Sequence, residues 1–362
     1  MKKLYRFSLW FLFVAGILTA CNPSDPKVVS GKYGKGVLVI NEGNFTEGNG
    51  SLSFIKENDE VLNTVFEDEN NGSPVGGIIQ SVRGYNLGFG VNADKLVLIT
   101  NNQDQAIIAD ADTLKAVAII RSPEVVNPQA FAAIGNRGFV TNWGEISQAF
   151  GPNPTGFLTE IDLRTRTFVR KINLPNCRPQ GIVSVNNKLY IANNHSNTVL
   201  VYGSDGNLVQ TIVVADSPDK LLVDNNNKVW VICNNEPDFS FSGNDKGTLV
   251  RINPTTDQTE LSIPNVPCSG FNSKIAFHNG KIYSLRGKKV FVVDTSNNQI
   301  SEFINNTDFA LYGIGINPQN GEIYIGEATF TQNSRVRRLS PSGSLIREYQ
   351  AGRGTNGFIF YR

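Results

Sequence analysis

Seven twelve-residue segments of this chain align on one another without gaps, and that repetition restricts the fold more than any other feature. They are IKENDEVLNTVF from Ile55, ADADTLKAVAII from Ala109, IDLRTRTFVRKI from Ile161, VYGSDGNLVQTI from Val201, INPTTDQTELSI from Ile252, VDTSNNQISEFI from Val293 and LSPSGSLIREYQ from Leu339. Each reads as a strand end, a polar turn and a second strand. Asp, Asn, Gly and Ser bond their own backbone or accept positive φ in turns, and apolar–polar alternation marks half-buried strands. The starts lie 54, 52, 40, 51, 41 and 46 residues apart, the period of a four-stranded propeller blade. Two further strands precede each hairpin. One reads GVLVIN, KLVLITNN, RGFVTNW, KLYIANN, KVWVICNN, KIYSLRG and EIYIGEA; the other, often after Pro, reads NPQAFAAI, RPQGIVSV, SPDKLLVD, FNSKIAFH and LYGIGINP. The sequence thus predicts an all-β, seven-bladed β-propeller with four antiparallel strands per blade, labelled A to D from the axis outward. The first repeat lacks an A strand, and the chain ends on TNGFIFYR, residues 355–362. Closure by that C-terminal strand inside blade one removes open sheet edges.

Composition agrees. The chain holds 42 Asn, 34 Gly and 16 Pro in 362 residues, more turn formers than a helical bundle tolerates. Hydrophobic residues at 40% suffice for a large core. A formal net charge of +1 argues against nucleic-acid binding, which calls for a basic excess.

Residues 1–20 read as a lipoprotein signal peptide. Lys2, Lys3 and Arg6 precede the apolar LWFLFVAGIL, too short for a stable membrane anchor, and LTAC places a lipidation site at Cys21. Residues 21–35 read as a flexible tether and 36–362 as the propeller domain. Asn22 after Cys21 favours the outer membrane over inner-membrane retention; whether the protein faces the periplasm or the cell surface stays open. Of Cys177, Cys233 and Cys268, two are able to pair in an oxidising compartment, but buried free thiols are the preferred reading. No CxxC or Cys/His cluster marks a zinc site.

In a propeller the A–B and C–D turns share one face, and the B–C and D–A loops share the other. Here the second set is long, for example NEGNFTEGNGS, NWGEISQAFGPNPTG and NNEPDFSFSGNDKG. Long loops on a rigid scaffold commonly carry function. The expected ligand-binding residues on this face are Asn101, Asn102, Asn142, Trp143, Arg178, Asn193, His195, Asn234, Phe239, Phe241, Tyr312, Phe330 and Arg353. The amides both donate and accept, the aromatics stack, and the Arg and His side chains would meet an anion. Each Asn is also readable as a turn former, and each lone Arg or His as loop surface. Enzyme chemistry finds little support: His195 and His278 are the two histidines, and neither a Ser–His–Asp order nor HExxH occurs. Glu42, Glu145, Glu236 and Glu327, with Asn193, leave a calcium-lactonase-type hydrolase as a minor alternative. No metal or cofactor is expected.

The repeats, with INEGN near the start, INPQNGEIYIGEA near the end and NN after the B strands, resemble the YncE-like seven-bladed β-propeller lipoproteins of Bacteroidetes. The resemblance covers nearly all of the chain after the leader. The group includes a surface lipoprotein that captures vitamin B12 beside an outer-membrane transporter. The resemblance implies a non-catalytic, monomeric, lipid-anchored outer-membrane protein that binds a small molecule, with a cobalamin-like nutrient as the specific candidate and a transporter as partner. It assigns no cobalamin-contacting residue to this chain. A protein-interaction scaffold of the cell envelope is the other expectation for the same face.

Overall fold

The computed structural model describes residues 32–87, 93–235, 245–270, 272–305 and 307–361. The leader, the tether and Cys21 lie outside them, as do Phe239 and Phe241. The chain forms seven antiparallel sheets of four strands. Blade two is typical: Ile79–Tyr85, Lys95–Thr100, Gln105–Asp110 and Ala116–Arg121, innermost first. The inner strands of blades three to seven are Pro128–Ile134, Pro179–Val185, Pro218–Val223, Ile275–His278 and Leu311–Ile316. Three begin on Pro, which cannot donate to a sheet ladder and is tolerated at a strand's first position.

Blade one closes the ring as the repeat pattern predicts. Its innermost strand is the C-terminal Thr355–Tyr361, paired antiparallel with Gly36–Asn41. Asn356 Nδ2 then donates to the Ile79 carbonyl of blade two at 2.8 Å, and the Tyr361 hydroxyl to the Ala111 carbonyl at 3.0 Å. On the other side Asp59, in the C–D turn of blade one, accepts from Tyr349 at 2.5 Å, Arg347 at 3.1 Å and Arg338 at 3.3 Å of blade seven. Between blades the packing is apolar: Leu38, Leu52 and Phe54 of blade one meet Ile79, Leu96 and Leu98 of blade two. Each such buried side chain contributes roughly 1.5–3 kcal/mol.

One local expectation is corrected. The fourth strand of blade one is only Val61–Leu62, and the chain then turns into a short helix, Val65–Glu69. Val65 and Phe66 of that helix are buried, so tertiary packing prevails over the β pattern.

The asparagine surplus has a backbone cause. Of 19 described non-glycine residues at positive φ, 12 are Asn. Asn tolerates the left-handed region better than other side-chain-bearing residues because its short amide bonds locally.

Six of the seven inner strands share a feature absent from the repeat alignment. Near its first residue each slips register against its neighbour: at Gln80, Gln129, Gln180–Gly181, Asp219, Tyr312 and Asn356. A bulge leaves its extra residue unpaired and re-aims its side chain. The bulges thus present a polar ring where the inner strands enter from the long-loop face.

Candidate functional site

A cup of about 870 Å³ opens on the long-loop face, within the range of roughly 300–1,000 Å³ usual for small-molecule sites. Its aromatic and aliphatic walls come from Phe45, Ile78, Trp143, Ile146, Phe150 and Phe330. Its amides are Asn44, Asn101, Asn102, Asn127, Gln80, Gln129, Gln180 and Asn272, and its one carboxylate is Glu42. None of the described residues lining it is cationic.

The wall around Trp143 is built by the loop after Arg137–Asn142, which folds a short helix, Ile146–Ala149. Trp143 and Phe150 meet edge to face, centroids 5.6 Å apart. Behind them lies Arg178, fully buried. Its guanidinium stands 4.9 Å from the Phe150 ring centroid and 6.0 Å from that of Trp143. It donates to the Ala149 carbonyl at 3.1 Å and to Asn194 O and Oδ1 at 3.4 Å. Arg178, expected as an anion contact, is instead a brace for the aromatic wall. On the opposite side Phe330 packs edge to face on Tyr312 at 5.1 Å.

Of the residues expected from sequence, Asn101, Asn102, Trp143 and Phe330 line the cup. Asn142 and Asn193 sit on the last residue of their B strands and staple the incoming loop. Asn142 Oδ1 accepts from Val126 N at 2.9 Å, and Asn193 Oδ1 from Arg178 N at 3.1 Å. Asn234 donates to Asp219 at 3.1 Å and accepts from Ser273 at 2.7 Å. These three are buried in the scaffold. Tyr312 stands behind Phe330 and donates to Glu42 Oε2 at 2.7 Å. Burial first, and then the Glu42 charge, hold its phenol pKa well above the usual tyrosine value. Arg353 pairs with Glu47 at 2.7 Å at the rim. His195 is partly buried beyond the cup.

Sequence reasoning missed Gln80, Gln129 and Gln180, which lie on inner strands whose register slip brings them to the cup. Their signal is a polar residue at the second position of IQSV, PQAF and PQGI. The side chains of Gln80 and Gln180 make no hydrogen bond to any described residue. Gln180 is 2% exposed and its Oε1 is buried without a donor. A buried unmet acceptor costs about 1–3 kcal/mol. Asn102, Asn127 and Asn272, all at positive φ, show that turn-forming and site-lining roles coincide.

Among the described residues no group of three or more His, Cys, Asp or Glu is placed to hold a metal ion. Glu42 and Glu327 are engaged by side chains: Asn356 Nδ2 donates to Glu42 at 2.9 Å, and Arg335 pairs with Glu327 at 3.0 Å. Glu236 lies outside the described residues. Cys177, Cys233 and Cys268 are free and buried, and burial pushes the Cys268 thiol up to about 11.

Residues 35–356 match a family model described as a domain of unknown function, DUF5074. Among solved structures the chain is similar to a quinonprotein alcohol dehydrogenase-like protein from Bacteroides thetaiotaomicron. Identity is 15% over 91% of this chain and 79% of that one, with a TM-score of 0.68. It is also similar to a functionally unknown protein from Desulfotomaculum acetoxidans, at 13% identity, 90% and 98% coverage and a TM-score of 0.64. A third likeness is hydrazine synthase of Kuenenia stuttgartiensis, at 14% identity, 73% and 86% coverage and a TM-score of 0.56. At these identities the likeness shows the fold alone. No curated protein matches the sequence.

Proposed function

The chain belongs to the DUF5074 family, and we propose that it is a non-catalytic binding protein whose long-loop face holds a small molecule in the cup. The observation that carries this reading is the pairing of an aromatic wall with the side-chain amides of Gln80 and Gln180, above all the buried, unmet acceptor of Gln180. Such a lining suits a ligand with an apolar body and an edge of amide or hydroxyl donors. Trp143 and Phe150 would cover the body. Gln80, Gln180 and Asn101 would bond the edge. With no described cation in the lining, a phosphate of the ligand would project out of the cup.

A cobalamin-like nutrient remains the specific proposal, since an amide-bearing ring matches this chemistry. With it goes the reading of a YncE-like lipoprotein, anchored to the outer membrane through Cys21, that hands its ligand to a transporter. The exposed Phe45, Ile146 and Phe150 at the rim, 66%, 50% and 51% accessible, favour a second reading in which the same face docks an envelope protein.

Calorimetric titration of the purified protein with cyanocobalamin tests the proposal. A saturable one-to-one isotherm is expected. Absence of heat, with stable co-purification of an envelope protein, would move the face to the second reading.

A further inference from the structure

Below the cup, and sharing Gln80 and Gln129 with it, an axial channel of about 410 Å³ runs between the inner strands. Its lining differs in kind. Arg83 of blade two, Lys220 of blade five and Lys274, just before the inner strand of blade six, all line it. They are three cations on three blades around one lumen. Repetition does not require them: the aligned inner strands carry Ala, Gly, Ile or Leu at neighbouring positions.

The acids near these cations are already committed. Asp219 Oδ2 accepts from Asn234 at 3.1 Å and from Ser273 N at 2.7 Å, while its Oδ1, which has no hydrogen bond, pairs with Lys220 at 3.5 Å. Glu42 accepts from Tyr312 and Asn356. Lys274 Nζ donates to the neutral Asn272 Oδ1 at 3.0 Å and stands 5.5 Å from the Tyr312 ring centroid. Arg83 has no hydrogen bond or ion pair with any described residue. Burial, and then the Lys220 charge, depress Lys274 to about 8. Three cations against two engaged carboxylates leave the lumen short of negative charge. Arg83 is exposed to the lumen and Lys274 is half-buried, and neither has an ion pair with a described residue.

We propose that the axial channel is a binding site for a small oxyanion, a free phosphate or a short carboxylate, held by Arg83 with Lys220 and Lys274. A guanidinium matches such an oxyanion with two parallel N–H bonds, and a lysine adds a point charge. The lumen admits a small dicarboxylate together with water. Gln80 and Gln129 stand between cup and channel. This site is independent of what the cup holds.

Equilibrium titration of the full protein with inorganic phosphate and with succinate, at ionic strength held constant with sodium chloride, tests it. One-to-one binding of at least one anion is expected. Arg83→Gln should weaken it tenfold or more, and Lys274→Met by a smaller factor, while Arg83→Lys retains part of it. Melting curves of each variant establish that it folds. If neither anion binds the wild-type protein, the proposal fails. It fails equally if a bound anion is held as tightly by folded Arg83→Gln, since the ion then sits elsewhere. Cobalamin titration of the same variant is unaffected if the cup reading holds, so the two readings fail separately.

Discussion

The cup and the axial channel meet at Gln80 and Gln129, yet their chemistry is opposed. The cup combines aromatic rings with neutral amides and has no cation among its described lining residues. The channel holds three cations, of which Lys220 pairs with Asp219 while Arg83 and Lys274 have no ion pair with a described residue. One structural device separates them. On three inner strands the bulged residue, Gln80, Gln129 or Gln180, reaches the cup, while residues further along, such as Arg83, line the lumen. A shift of three residues along one strand moves from a hydrogen-bonding surface to a charged one. The propeller therefore offers two environments on one axis, and a ligand is sorted by charge.

The largest expected effect breaks the cup and spares the channel. Replacing Trp143 and Phe150 together with alanine should lower affinity for the cup ligand about 100-fold, near 3 kcal/mol for two aromatic anchors that the ligand would cover. Phosphate binding should stay within a factor of two. Calorimetry on the double variant reads both.

Arg178 sharpens the distinction between bracing the cup and touching its ligand. Arg178→Met leaves the Ala149 carbonyl and the Asn194 side chain without their donor. It should cost about 2–3 kcal/mol of stability, read as a lower urea midpoint, and should weaken the cup ligand only through its wall.

Much of the fold was legible because repetition and turn chemistry are local. The hairpins, the blade period and the C-terminal strand in blade one all followed from residue pattern. The site was legible in part. The long loops marked the face, and Asn101, Asn102, Trp143 and Phe330 reached the cup. Arg178 did not, because whether an Arg beside a loop faces outward depends on what packs over it, here Trp143 and Phe150. Gln80, Gln129 and Gln180 were hidden because they lie in strands. Only the register slip turns them toward the ligand, and a slip is a property of pairing rather than of one segment. The short final strand of blade one was obscured likewise: VLNTVF alternates acceptably, but burial of Val65 and Phe66 favours a helical turn.

Gln180→Met tests the unmet acceptor in two directions. A methionine of similar shape removes the uncompensated Oε1, so stability should rise by about 1 kcal/mol. Ligand affinity should fall about tenfold, or about 1.4 kcal/mol. A fall in both would mean that the amide has a structural partner.

The smallest effect concerns pH. Lys274 titrates near 8 in the folded protein, against 10.5 for an ordinary lysine. Between those values the unfolded chain binds the extra proton, so this group makes stability rise with pH across the window. Arg83 and Lys220 oppose its charge and Glu42 and Asp219 favour it. Urea midpoints from pH 8 to 10.5 should therefore rise less steeply in Lys274→Met than in wild type.

The most direct test crosses the two sites. Cyanocobalamin and inorganic phosphate are each titrated into wild type, the Trp143→Ala/Phe150→Ala variant and Arg83→Gln. The account expects the aromatic variant to lose cobalamin and keep phosphate, and Arg83→Gln to keep cobalamin and lose phosphate. Loss of both ligands in either folded variant, or wild-type binding of both in each, would contradict two separate sites on the propeller axis.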